Sequence, residues 1–123
     1  MEFNYFDVFV TIATDEIQLL VDFYSQLFQK QPIVYQASIY AEFQLEKLRL
    51  GIFKPKSERQ VEFDNLSNGM SLCLEVEQLE AAIAYISEIG YPPAGQIIEA
   101  SHGREIYAYD PAGNRLILHQ SIS

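Results

Sequence analysis

The chain has 123 residues, 49% of them hydrophobic and 20% charged, with 17 acidic side chains against 8 basic ones for a formal net charge of -9. This is the size of one ordinary domain with a real core, and the composition argues against a long disordered segment. So acidic a surface repels phosphate backbones and anionic lipid, which argues against nucleic acid and membrane as partners; it also concentrates cationic ligands, or simply keeps the protein in solution.

No apolar run approaches the roughly 20 residues that span a bilayer. The segment Met1-Glu2-Phe3-Asn4-Tyr5 is acidic and aromatic, unlike the basic and then apolar start of a signal peptide. Cys73 is the only cysteine, so no internal disulfide can form. A cytoplasmic location is expected.

In chain order, Val8–Thr14 predicts a strand with Val10 and Ile12 on one face and Phe9, Thr11 and Ala13 on the other. A helix follows over about 16–28, with Thr14 and Asp15 as caps; Ile17, Leu20, Val21, Tyr24, Leu27 and Phe28 keep the helical period. Gln31-Pro32 stops it. Extended pieces are expected near 33–36, 38–45 and 48–53, with Glu46-Lys47 as a turn, and then a polar loop over 54–60. From Met70 the pattern restarts: a strand over 70–76, a helix over 78–89 with Gly90 as its stop, and extended segments near 96–99, 104–109 and 115–120.

Setting Phe9 on Ser71 aligns the halves at an offset of 62, with Ile17 on Leu79 and Leu20 on Ala82. Two similar modules sharing one core are implied: module one about 1–58, module two about 59–123, one α+β domain in all. Asp110-Pro111-Ala112-Gly113-Asn114 is hairpin chemistry rather than catalysis, because Pro presets φ and Gly and Asn tolerate the left-handed region.

The segments FVTIATDEIQLLVDFYSQLF and GREIYAYDPAGNRLILHQ, together with the repeat, resemble the glyoxalase / bleomycin-resistance / extradiol-dioxygenase (vicinal oxygen chelate) superfamily. The resemblance covers nearly the whole chain. It implies two βαβββ modules pairing their sheets into an open barrel-like cavity around a small ligand, and a homodimer. Metal-dependent members place ligands on the first and last strand of each module. By that resemblance the four positions fall on Phe9 (or Val8), the stretch 48–53, Ser71 and Ile117, none of which offers an ordinary donor to a first-row metal. No metal and no cofactor are therefore expected, and glyoxalase I or extradiol dioxygenase chemistry is put in doubt.

The candidate ligand-binding set is Phe9, Thr11, Cys73, Glu75, Arg104, Tyr107, Ile117 and His119. His119 could hold a ligand or move a proton near neutral pH, or be an ordinary strand-end histidine. Glu75 could hold a cationic or hydroxylated ligand, or sit at a solvated rim. Arg104, in His102-Gly103-Arg104, could grip a carboxylate or lie in a surface turn. Cys73 could be a nucleophile, though lone cysteines more often pack as small hydrophobes. Phe9, Tyr107 and Tyr109 could stack on a planar ligand or fill a core. No catalytic residue is assigned. The leading functional expectation is a metal-free small-molecule-binding protein that sequesters an aromatic or cationic compound, as antibiotic-resistance relatives do. The alternatives are a lyase or isomerase with a displaced or non-metal site, and an interaction domain without a small ligand.

Overall fold

The structure, a computed structural model, describes residues 4, 7–63 and 69–122. Of the N-terminal segment compared with a signal peptide, Met1, Glu2, Phe3 and Tyr5 lie outside the described residues. The chain divides into two units, Met1–Asp64 and Asn65–Ser123.

The first unit runs β1 (Val10–Ala13), α1 (Ile17–Phe28), β2 (Val34–Gln36), β3 (Tyr40–Gln44), β4 (Arg49–Phe53) and a 3-10 helix, Ser57–Phe63. The second runs β5 (Leu72–Glu75), α2 (Leu79–Glu88), β6 (Ile98–Ala100), β7 (Gly103–Tyr109) and β8 (Arg115–Ser121). Each unit thus has a four-stranded mixed sheet with one helix, ordered β1-β4-β3-β2 and β5-β8-β7-β6, and neither sheet closes on itself. In each, the strand before the helix pairs parallel with the last strand, and the other pairs are antiparallel. The expected α+β class and βαβββ modules are therefore the observed ones.

The offset of 62 carries β1 onto β5 residue for residue, since 10 + 62 = 72 and 13 + 62 = 75. The last strands are offset by 66, since 49 + 66 = 115. Alternation decides which face each helix covers. Ile12, Ala41, Phe43, Leu50 and Ile52 are buried in the first unit together with Ile17, Leu20, Val21, Phe23 and Tyr24 of α1. In the second, Ile106, Ala108, Leu116 and Leu118 are buried together with Leu79 and Ile86 of α2.

Two local expectations need correction. Neither Thr14 nor Asp15 caps α1: the N-cap is Glu16, with no side-chain cap bond, and the Thr14 hydroxyl instead accepts the Glu16 N–H at 3.0 Å, closing the turn one step earlier. The segment 54–60 is not all loop, because a 3-10 helix starts at Ser57. Such short helices need no amphipathic period, so periodicity cannot reveal them. The helix serves to bring Phe63 edge-on to Phe53 at 5.2 Å between centroids.

The hairpin turn between β7 and β8 is built as its residues dictate. Buried Asp110 accepts the Ala112 and Asn114 N–H groups on Oδ1, both at 2.9 Å, and the Asn114 side-chain amide on Oδ2 at 2.9 Å. Gly113 takes φ 89, the left-handed conformation glycine adopts at little cost. This turn sets the β7–β8 register, and that register assembles the candidate site.

Candidate functional site

Leu72, Leu74, Ile106, Ala108, Leu116 and Leu118 alternate onto the helix side of the second sheet. The intervening residues stand on the opposite, helix-free face. Across three strands the register makes rows on that face: Glu75, His119 and Glu105 form one row, and Cys73, Ile117 and Tyr107 the next. Five of the eight residues singled out in the sequence, Cys73, Glu75, Tyr107, Ile117 and His119, thus come together.

His119 is the buried member, 8% exposed. Its Nδ1 lies 2.5 Å from Oε1 of Glu75, and its Nε2 lies 2.9 Å from Nδ1 of His102, whose ring stacks on it at 5.0 Å between centroids. A carboxylate can only accept, so the Glu75 contact fixes the proton on Nδ1 of His119; in the neutral ring Nε2 is then a bare acceptor. The second oxygen of Glu75 accepts the Ser121 hydroxyl at 2.8 Å. The Ser121 hydroxyl and the His119 ring together hold the Glu75 carboxyl below the usual carboxylate range.

His102 reaches this position because of Gly103. There φ is 148, and a methyl group would come within 2.2 Å of the Gln120 carbonyl oxygen, so the β6–β7 turn can press against β8 only with glycine. Glu105, opposite His119 in the register, supplies a second carboxylate. Oxygen and nitrogen atoms of His102, Glu105 and His119 lie within 4.8 Å of one another. Sequence reasoning did not assemble His102, Glu105 and Ser121. The signal for Glu105 was present in the hairpin: with Tyr109 opposite Arg115, stepping back four residues on one strand and forward four on the other sets Glu105 opposite His119.

Around this row, partial burial and the Glu75 and Glu105 carboxylates push the Cys73 thiol up, which disfavours the thiolate. Tyr107 and Tyr109 are 39% and 46% exposed beside it. Arg104 does not join the group. Its parity puts it on the helix side, where its guanidinium donates to both oxygens of Glu80 on α2 at 2.6 and 2.8 Å and to Gln120 at 3.0 Å. Gln120 in turn accepts the Leu79 N–H at the start of α2, at 2.7 Å. Arg104 thus ties helix to sheet.

Phe9 and Thr11 belong to the first unit. The Phe9 ring lies beneath the Arg49 guanidinium, 4.1 Å from its centroid, and Arg49 also pairs with Asp7. Thr11 is paired with Gly51, where a methyl would come 2.9 Å from the Tyr40 hydroxyl and 3.3 Å from Thr11 Cγ2. Tyr40 donates to Glu42 at 2.7 Å, and partial burial with this bond raises its pKa.

The metal of the superfamily's enzymes does not fit the four positions to which the resemblance assigns its ligands. Phe9 stacks on a cation, and Ser71 accepts the Arg115 Nε–H at 2.7 Å. Ile117 and the stretch 48–53 bring neither carboxylate nor imidazole. An open groove of about 540 Å³ along α1 of the first unit, lined by residues including Gln18, Asp22, Gln26 and Tyr35, brings no imidazole or thiol together.

No family model and no curated protein matches the chain. Solved structures do. A glyoxalase/bleomycin resistance protein/dioxygenase family enzyme from Burkholderia phytofirmans superposes with a TM-score of 0.77 at 18% identity, over 93% of this chain and 97% of that one. A glyoxalase / bleomycin resistance protein from Catenulispora acidiphila gives 0.69 at 22% identity, over 96% and 100%. Fosfomycin resistance protein FosX from Mesorhizobium loti gives 0.72 at 14% identity, over 98% and 95%. Two βαβββ units with this strand order, matched along nearly their whole length, give this chain the fold of the glyoxalase / bleomycin-resistance proteins.

Proposed function

We propose that this chain is a small-molecule-binding protein of the glyoxalase / bleomycin-resistance kind. It takes an aromatic or cationic compound on the helix-free face of its second sheet, with no metal at the superfamily's four usual positions. The observation that carries this reading is the buried His119 held by Glu75 beside half-exposed tyrosines. A packed face does not collect a carboxylate, an imidazole and aromatic rings without use for them, whereas ligand sites combine apolar walls with a few convergent polar groups. Glu75, its carboxyl held below the usual range by the Ser121 hydroxyl and the His119 ring, suits a cationic or hydroxylated ligand, Tyr107 offers a ring to stack on, and the net charge of -9 attracts cations.

A second reading, a lyase or isomerase with a non-metal site, is favoured by one feature. A carboxylate that fixes an imidazole's tautomer is the arrangement of a general base and its orienting partner. We also propose a homodimer in the cytoplasm. Exposed Ile33, Val34 and Ile39 in the first unit support association. The lone cysteine suits a reducing compartment. Sedimentation showing only monomer at micromolar concentration would contradict the dimer. Among the described residues no helix is long and apolar enough to cross a membrane.

The test is a thermal-shift screen of planar and cationic compounds on the full chain, with hits titrated against Glu75→Gln and His119→Ala. Each variant should stay folded and bind hits more weakly by about 1–3 kcal/mol, roughly 5- to 150-fold, the cost of a lost charged or buried hydrogen bond. Hits that bind both variants as tightly as wild type would show that the site is elsewhere.

A further inference from the structure

We propose that His102, Glu105 and His119 form a binding site for a first-row divalent metal ion of the zinc type, with a coordination position left open. The site lies off the superfamily's four usual positions and on the face assigned above to ligand binding. It revises the expectation of a metal-free protein, but it does not depend on the identity of any organic ligand.

Zinc favours imidazole and carboxylate donors in tetrahedral geometry, and sites with three protein ligands leave the fourth place to water or substrate. The three donors are of these types, and their atoms lie within 4.8 Å of one another. Two imidazole nitrogens on one tetrahedral ion, each at about 2.0–2.1 Å, stand about 3.3 Å apart. Nε2 of His119 and Nδ1 of His102 stand 2.9 Å apart, so a small parting of the stacked rings admits the ion. His102 then carries its proton on Nε2 instead of Nδ1, and no net proton is lost.

Glu75 supplies what such a site needs outside the ligands. Histidine ligands typically give their other N–H to a carboxylate, which fixes ring orientation and tautomer. One oxygen of Glu75 meets His119 Nδ1 and the other Ser121 Oγ, which places it to orient the His119 ring toward the ion. The donors also run from buried His119 through half-buried Glu105 to exposed His102. An ion can therefore enter, and a small molecule can reach the open position, from the His102 side.

Titrating the tag-free full chain with Zn2+ by calorimetry, and with Co2+ by visible absorption, tests this. The expected result is one equivalent per chain at micromolar affinity or better, with the intense visible bands of four-coordinate cobalt. His102→Ala, which changes an exposed side chain and should not disturb folding, is expected to weaken Zn2+ at least about 100-fold, and Glu105→Gln and Glu75→Gln about 10- to 100-fold. Absence of binding below about 100 micromolar, or binding unchanged in His102→Ala and Glu105→Gln, would overturn the proposal. If Zn2+ fails to bind while screened compounds still lose affinity in Glu75→Gln, the metal site falls and the ligand-binding reading stands; the converse result removes only the latter.

Discussion

The two units share strand order and α-helix placement, yet equivalent rows on the sheet faces turned away from α1 and α2 hold opposite chemistry. In the first, Ala13, Phe53 and Tyr40 stand side by side across β1, β4 and β3; in the second, the same places carry Glu75, His119 and Glu105. Phe53 is met by Phe63 of the 3-10 helix, whereas His119 is met by His102 and Glu75. One unit covers its row with aromatic rings, while the other keeps carboxylates and imidazoles half open to solvent. Alternation of apolar residues toward the helix suffices to specify the sheet, so the other face is free to diverge. That freedom localises the candidate chemistry to the second unit.

The comparison breaks most sharply at the turns that begin β3 and β7. Ser38 takes φ 66 in the first unit, and Gly103 takes φ 148 against the Gln120 carbonyl in the second. Gly103→Ala is expected to cost more than about 2 kcal/mol, since it combines backbone strain with a clash against backbone. Ser38→Gly should change stability by less than about 1 kcal/mol, because it relieves a left-handed serine. Chemical denaturation of both variants measures the contrast, and comparable losses would mean that the turn at Gly103 is not closed as described.

The next contrast is between Phe53 and His119. Phe53→Ala should cost about 2–3 kcal/mol through the lost burial and edge-on ring contact, with no effect on compounds that need Glu75. His119→Ala should do the reverse, losing those compounds at a smaller stability cost. Equal stability losses with equal binding losses would erase the division of labour between the faces.

The smallest effect concerns the helix side of the second sheet. The Arg104 guanidinium holds the Glu80 carboxyl at about 2, against an ordinary 4.5. A folded-state value below the unfolded one means that its contribution is present above the ordinary carboxylate range and is lost as pH falls from about 4.5 toward about 2. Glu80 is exposed and Arg104 only half-buried, so the contribution is small. Glu80→Gln should lower the melting temperature slightly at pH 6, with the gap to wild type narrowing as pH falls from about 4.5 toward about 2. Arg104→Ala should leave compound binding unchanged; a loss of binding there would return Arg104 to the site.

Much of this architecture could be read from the residues. The offset of 62 placed β1 on β5, and the Asp110–Asn114 turn announced the last hairpin. Period-two alternation brought Cys73, Glu75, Ile117 and His119 to one face. Arg104 was read at the junction of a turn and an extended segment, which left its side open; with β7 starting at Gly103, Arg104 shares parity with Ile106 and faces α2. His102 could not be foreseen, since its ring position depends on the left-handed Gly103 and not on any repeat. The 3-10 helix was likewise silent, having no period to detect.

Glu75 fixes His119 with its proton on Nδ1 and its unprotonated Nε2 turned to the site. Long-range nitrogen–proton correlation spectra of the histidine side chains at pH 8, with His102→Ala to assign the rings, report this directly. His119 is expected to be locked in the Nδ1–H tautomer, and Glu75→Gln to release it to tautomer exchange. A His119 ring already averaging between tautomers in the wild type, or protonated on Nε2 alone, would contradict it.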